Sequence, residues 1–283
     1  MDEHPTEWTK GSAPVAVVMI SLNEAHNMQE VLDNLAGWAQ EVFVLDSFST
    51  DDTVEIARAR GVHVAQRRFD GFGSQWNKAL ELPITAPWTM KLDPDERLSD
   101  KLKAELFSAM VAGRSTGLSL HRRLWFMGRS LPITQEITRV WKTGTCRFTD
   151  VAVNEYPVVD GPVAHVDGYM EHLDSPDLGH WLDKQNRYST SEAEIKFHAR
   201  PLADQPRLFG TKMQRWMWLK ANVDKIPARF TLIFLYYYLF KGLWRAGFVG
   251  YVWSRLRADV YRLQYYKFRE LQILEANTRE KRD

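Results

Sequence analysis

"VAVVMISLNEAHNMQEVLDNLAGWAQEVFVLD", residues 15–46, reads as strand, helix, strand. Its first eight residues are apolar on both faces, as in a strand covered on both sides of a parallel sheet. Met28, Val31, Leu32 and Leu35 recur at helical spacing, and 41–46 is a second buried run. The pattern continues outward. Ser49 or Thr50 can cap a helix that Gly61 ends, "VHVAQ" reads as a third strand, and 71–82 reads as a glycine-bearing loop entering a helix. "WTMKL" is a fourth strand, with an amphipathic helix predicted from Ser99 to Val111. Strands alternating with helices over 14–120 define an α/β fold. Ligands of such sheets sit beyond the carboxyl ends of the strands, which is where "SLNE", "LDSFSTD" and "LDPDE" fall.

Residues 117–170 read as mixed strands and loops, and 175–197 as a helix. Within them "HRRLWFMGRSLP" (121–132) is basic and aromatic, fitting either an anionic sugar acceptor or an amphipathic strand and turn. Residues 206–283 change character. They hold 16 Lys/Arg against 6 Asp/Glu while residues 1–205 hold 21 against 30, and they carry seven of the ten tyrosines. Basic and aromatic together is the composition of a surface that meets anionic headgroups. "RFTLIFLYYYLF" (229–240) falls short of the roughly 20 apolar residues of a membrane span, so an interfacial or re-entrant element is expected, a packed core helix being the alternative. Tail cations such as Arg255, Arg257, Arg262, Lys267 and Arg269 can equally just solvate a helix. One cysteine, Cys146, excludes an intramolecular disulfide and fits a reducing compartment. The acidic N-terminus has no secretory pattern, and a cytoplasmic location follows as an expectation.

Asp93 and Asp95, two residues apart behind a buried strand, repel unless a cation or donors compensate. Hard carboxylate oxygens in that spacing suit Mg²⁺ or Mn²⁺, the competing reading being a solvated turn. Glu96 and Asp100 can serve the dipole of the next helix. Asn23, Glu24 and Asp46 put further polar groups on the same rim, suited to a base and ribose. Neither GxGxxG after a strand nor GxxxxGK[ST] occurs, so the dinucleotide and P-loop fingerprints are absent.

"ISLNEAHN", "VLDSFSTDDT", "GFGSQWNKAL" and "WTMKLDPDER", in this order over 14–100, resemble the inverting family 2 glycosyltransferases, most closely the branch containing lipopolysaccharide-core β-glucosyltransferases. The resemblance implies the GT-A fold, a Rossmann-like mixed sheet flanked by helices that binds a nucleotide sugar. It implies that Asp46 meets the base or ribose, that Glu24 lies against the nucleotide, that Asp93 contacts ribose or metal, and that Asp95 is the principal ligand of Mg²⁺ or Mn²⁺. Gln75 and Asn77 take pocket-lining positions, with Trp76 where many relatives have Lys. Pro94 replaces a more familiar Ala without removing either carboxylate. Arg139 and Glu155 match acceptor-side positions. Glu155 becomes the general base, Asp150 its rival, and Arg139, His172, Lys184 and Arg187 the cations over a leaving diphosphate. "DKQNRY" does not match the motif of processive relatives.

The expected protein is a metal-dependent inverting glycosyltransferase. Residues 1–205 form the catalytic domain, its nucleotide half about 14–120 and its acceptor half about 121–205, and the helical region 206–283 docks on the cytoplasmic face of the inner membrane. The donor is a nucleotide sugar, and the acceptor is a glycolipid or saccharide of the cell envelope; nucleic acid is not an expected partner. A polyprenyl-phosphate glycosyltransferase is the alternative within enzymes, and a non-catalytic membrane-binding module the alternative outside them.

Overall fold

The computed structural model describes residues 7–149, 155–198, 205–211 and 226–280, with Gln214, Arg215, Met217, Trp218 and Asn222 between them. Asp150 lies outside the described residues. Packing divides the chain into two units, residues 1–124 with 134–174, and residues 125–133 with 175–283. The division expected near 205 follows charge, whereas the packing division places the helix at 178–197 with the C-terminal helices.

The first unit opens with β1 (Ala13–Ser21), α1 (Ala25–Leu35), β2 (Ala39–Asp46), α2 (Thr53–Ala59), β3 (His63–Gln66), α3 (Phe72–Ala79) and β4 (Trp88–Lys91). β5 (Glu96–Leu98), α4 (Asp100–Ala112), β6 (Gly117–Phe126), β7 (Arg129–Lys142), β8 (Cys146–Phe148), β9 (Pro157–Val159) and β10 (Val163–His172) follow. The sheet order is β3-β2-β1-β4-β7-β6-β10-β5. β1 to β4 are parallel, as the strand–helix alternation predicts. Beyond them β7 runs antiparallel to β4, and β5 antiparallel to β10, so the sheet is mixed. β8 and β9 pair apart from it.

Side-chain parity explains why β1 and β2 read as apolar throughout. Val15, Val17, Met19, Val42 and Val44 pack with α1 and α4 on one face, while Ala16, Val18, Phe43 and Leu45 pack with Trp76 and Ala79 of α3 on the other. Each buried Val, Leu, Met or Phe side chain among these contributes about 1.5–3 kcal/mol of transfer free energy. Ser99 caps α4 by accepting from the Leu102 N–H, as its position predicts. The start of α2 differs from expectation. Ser49 and Thr50 are occupied elsewhere, and Asp51 instead accepts from the Thr53 N–H and hydroxyl at the helix start. A β7 residue, Trp141, closes the α3 side with Phe148 of β8.

Cys146 is half-buried there. Burial pushes its thiol up to about 12, Asp160 acting in the same direction. An acid so raised stays protonated at neutral pH, and the thiolate is the nucleophile. In the folded protein Cys146 is therefore expected to alkylate with iodoacetamide at pH 8 about a thousandfold more slowly than an unfolded-chain cysteine, with urea restoring the rate.

The second unit holds the tip of the β6–β7 hairpin, α5 (Leu178–Phe197), α6 (Arg229–Leu235) and the 34-residue α7 (Gly247–Glu280). Phe126 of the tip meets Trp181 edge to face. "HRRLWFMGRSLP" is thus the end of one strand, a tight turn and the start of the next. α5 lies along α7, where the Lys267 ammonium donates to the Asn186 carbonyl and the Ser189 and Thr190 hydroxyls. No helix among the described residues is long and apolar enough to cross a membrane.

Candidate active site

The rim of the first unit is built by loops at the carboxyl ends of β1, β2 and β4. Asn23 and Phe48 both adopt left-handed backbone, a conformation Asn tolerates and Phe rarely takes. A hydrogen-bond net holds them. The Asn23 side-chain oxygen accepts from the Thr50 N–H at 2.8 Å, and the Ser49 hydroxyl accepts from the Asn23 N–H at 2.8 Å. Asp46 is fully buried, and its carboxylate accepts from the Ser21 and Ser49 hydroxyls, the Ser49 N–H and the Gln66 amide. Burial alone would raise its pKa, yet these four donors hold the carboxyl below the usual carboxylate range. Glu24 receives the Asn27 amide, and its N–H donates to the Thr53 hydroxyl. Asn23, Glu24 and Asp46 are thereby brought to one rim, each engaged in shaping it.

Gln75 is buried on α3, accepting from Arg67 and donating to Ser47. Asn77 makes a reciprocal pair with the Phe148 backbone, which fixes β8 against α3. That frames a role for Lys91, a residue the motif reading passed over. Its ammonium lies 4.2 Å from the centre of the Trp76 ring, 5.2 Å from that of Phe148, and 2.7 Å from Glu155 Oε1. A lysine inside the apolar run "WTMKL" was the available signal, because a cation in a buried strand needs a partner.

The acidic turn splits into two clusters. The Glu96 N–H donates to the Asp93 carbonyl, and the Asp93 N–H donates to Glu96 Oε2, both at 2.9 Å, so the turn is locked reciprocally around Pro94. Glu96, 0% exposed, is an anchor of this turn and not a partner of the α4 dipole, which falls to Asp100 in the first turn. Arg139 of β7 reaches across the sheet to Glu96 at 2.6 Å and to Asp93 at 3.0 Å. Burial pushes the Glu96 carboxyl up, and Arg139 pulls it back. Burial also raises Asp93, but Arg139 and Lys91 outweigh it and hold that carboxyl low. Arg139 thus faces carboxylates in this structure.

Asp95 belongs to the other cluster. β10 ends beside the turn, and the Leu173 N–H donates to the Asp95 carbonyl at 2.8 Å. This ladder bond puts residues 172 and 174, alternate positions of one strand end, around the Asp95 carboxylate. His172 Nε2 lies 3.3 Å from Asp95 and 3.8 Å from Asp174, and ligand atoms of all three fall within 4.8 Å of one another. Burial would lower the His172 pKa, but Asp95 and Asp174 outweigh it and raise that pKa. Two carboxylates and an imidazole are a donor set for one divalent ion. The mixed oxygen and nitrogen chemistry suits Mn²⁺ better than Mg²⁺, which prefers oxygen alone. Asp93, named with Asp95 from the motif, turns instead toward Arg139. The sequence reading missed Asp174, although "HLD" after a strand carried the H-x-D spacing. Lys184 and Arg187 lie on α5, in the second unit.

A sheet of this order, with an acidic turn and an imidazole gathered at its strand ends, is the GT-A fold of enzymes that handle nucleotide sugars. A mannosyltransferase of Pyrobaculum calidifontis, solved in complex with GDP-Man and Mn²⁺, shares it with a TM-score of 0.53 at 15% identity, over 93% of this chain and 90% of that one. The Glycosyl transferase family 2 profile matches residues 16–153, and the protein is a glycosyltransferase carrying a domain of that family. Among curated relatives, the uncharacterized glycosyltransferase RP128 of Rickettsia prowazekii (strain Madrid E) is 24% identical over 93% of this chain and 89% of its own length. The lipopolysaccharide core biosynthesis glycosyltransferase LpsC of Rhizobium meliloti (strain 1021) is 25% identical over 84% of this chain and 86% of its own.

Proposed function

We propose that this glycosyltransferase is metal-dependent and inverting, and that it moves a sugar from a nucleotide-sugar donor to a glycolipid or saccharide acceptor of the cell envelope at the cytoplasmic membrane face. The observation that carries the reading is the Asp95–His172–Asp174 cluster, set at the strand ends beside the rim of Asn23, Glu24 and Asp46. LpsC, named for lipopolysaccharide core biosynthesis, supports the acceptor class.

In this reading Asp95, His172 and Asp174 would hold Mn²⁺ or Mg²⁺, whose positive charge would offset that of a departing diphosphate. Rim and α3 residues, with Gln75 and Asn77 as scaffold, position the nucleotide. Glu155 takes the acceptor hydroxyl proton as that oxygen bonds to the anomeric carbon and the carbon–phosphate oxygen bond breaks, releasing the nucleoside diphosphate. Lys91 fixes the Glu155 carboxylate in place by its 2.7 Å contact. Arg139 holds Asp93 and Glu96, which fixes the turn that sets Asp95 beside His172.

The test is a thermal-shift panel of UDP- and GDP-sugars with and without Mn²⁺, paired with turnover of Glu155→Gln. One donor class should stabilise the protein only with Mn²⁺, and Glu155→Gln should keep that shift while losing turnover about a hundredfold or more. No stabilising donor would overturn the reading. Intact turnover in Glu155→Gln would move it to an acceptor that is already anionic, such as a polyprenyl phosphate.

A further inference from the structure

The segment between α6 and α7 is built unlike the rest of the second unit. From Arg229 to Ala258 the chain carries five cations and no carboxylate. α6 ends in a π-helical turn, Tyr236–Phe240, and a short 3₁₀ turn, Leu243–Ala246, leads into α7. π turns are rare, and this one reverses the chain between two helices.

The inner side of the reversal is tightly braced. Leu243 is buried, Tyr237 packs edge to face on Trp253 at 5.1 Å, and Phe234 packs on Tyr251 at 5.7 Å. A Cβ at residue 250 would run into the Leu243 carbonyl, so Gly250 is what lets α7 come this close. The outer side is bare. Phe240 is 83% exposed and Phe248 72%, with Leu232, Leu239, Tyr236 and Trp244 each about half exposed. A rigid element that leaves this much aromatic and aliphatic surface in water is an interaction site.

The cations say what it meets. Along α7 they are occupied. Arg255 and Arg262 pair with Asp259, Arg257 is half-buried against Tyr237 and Tyr261, and Lys267 serves the α5 groups. Lys241 and Arg245 pair with no carboxylate among the described residues and lie over the Tyr236 and Trp244 rings. Two unpaired cations beside exposed Phe, Trp and Leu match the boundary between acyl chains and anionic headgroups. A second copy of the chain fits poorly, because an isologous contact would press this all-cationic patch on itself.

We propose that the reversal at residues 236–248, and not the basic length of α7, is a membrane-docking knuckle that inserts Phe240 and Phe248 into an anionic lipid surface while Lys241 and Arg245 engage the headgroups. This rests on the proposed transfer at a membrane face and names the surface that achieves it. The test reads binding rather than turnover, so the two can fail separately.

Full-length protein is co-sedimented with phosphatidylglycerol and with phosphatidylcholine vesicles. The wild type should bind the former more tightly, with a preference that added salt weakens. Phe240→Ser with Phe248→Ser should reduce partitioning about a hundredfold, roughly tenfold for each apolar ring withdrawn. Lys241→Gln with Arg245→Gln should erase the preference for phosphatidylglycerol and spare residual binding, an arm that stands even if the serine pair folds poorly. Undiminished vesicle binding by the serine pair overturns the proposal, as does a wild type that ignores both vesicles, or one that self-associates through this patch in sedimentation velocity without binding lipid. Mn²⁺-dependent donor stabilisation should be unchanged in both pairs; its absence from the wild type would sink the transfer reading and leave the docking result standing.

Discussion

Replacing Arg139 by Met is expected to destabilise the protein by about 3–5 kcal/mol, a fall in Tm of roughly 10 °C. The size follows from where its partners sit. Glu96 is buried with Arg139 as its near cation at 2.6 Å, and the next, Arg122, is 3.5 Å away. Met fills similar volume, so the loss comes from stranding a buried carboxylate and not from a cavity. Removing both charges should recover much of it. Arg139→Met with Glu96→Gln is expected to be more stable than Arg139→Met alone, because Gln can still accept from the Asp93 N–H without burying an unpaired charge. The pH dependence has a definite sign. Burial already holds the Glu96 carboxyl above its usual range, and Arg139 opposes that, so the variant raises it further. A raised folded-state value means the group favours folding when protonated. The variant's deficit should therefore be smallest below the ordinary glutamate range and grow as pH rises through the raised value. Denaturant melts at pH 5 and pH 8 check this. A loss under about 1 kcal/mol at both would show an ordinary surface ion pair.

That pair also marks the limit of what the sequence disclosed. The parallel half of the sheet was legible because β1 and β2 are covered on both faces, which leaves uninterrupted apolar runs separated by helical spacing. The antiparallel half was not, because β5, β7 and β10 are placed by long-range register and no local pattern encodes it. The motif positions 93, 95 and 96 were visible as charges, but their division was not. Arg139 comes from 43 residues beyond Glu96, and His172 and Asp174 from a strand end near Asp95 only through the β10–β5 ladder. Ser49 and Thr50 misled for a related reason. Both have capping chemistry, and the competing use, pinning the left-handed Asn23, arises only once β1 and β2 stand side by side. Lys91 needed no partner information to be noticed, only the rule that a lysine in a buried strand must be answered.

Replacing Asp95 by Ala separates binding from folding in the opposite sense to Arg139→Met. Asp95 is held near Asp93, and its charge raises the Asp93 carboxyl, so in the protein without metal it opposes its neighbour. Deleting it relieves that repulsion but also removes the 3.3 Å contact with His172, two effects of opposite sign, so Tm should change little. The backbone ladder that places His172 and Asp174 uses the Asp95 carbonyl, which Ala keeps, so the strand end should stay in position. What goes is one of three groups gathered within 4.8 Å. The Mn²⁺-dependent donor shift is expected to vanish, and turnover to fall by more than about a thousandfold, beyond the loss of a single preorganised donor. Asp174→Ala should weaken the same shift, whereas Asp93→Asn, which turns toward Arg139, should alter it far less. Thermal shift and turnover of the three variants, at several Mn²⁺ concentrations, check the ranking. If Asp93→Asn removed the Mn²⁺ response while Asp174→Ala retained it, the metal would belong to the Asp93 side of the turn, and the cluster around His172 would be an ordinary carboxylate–imidazole contact.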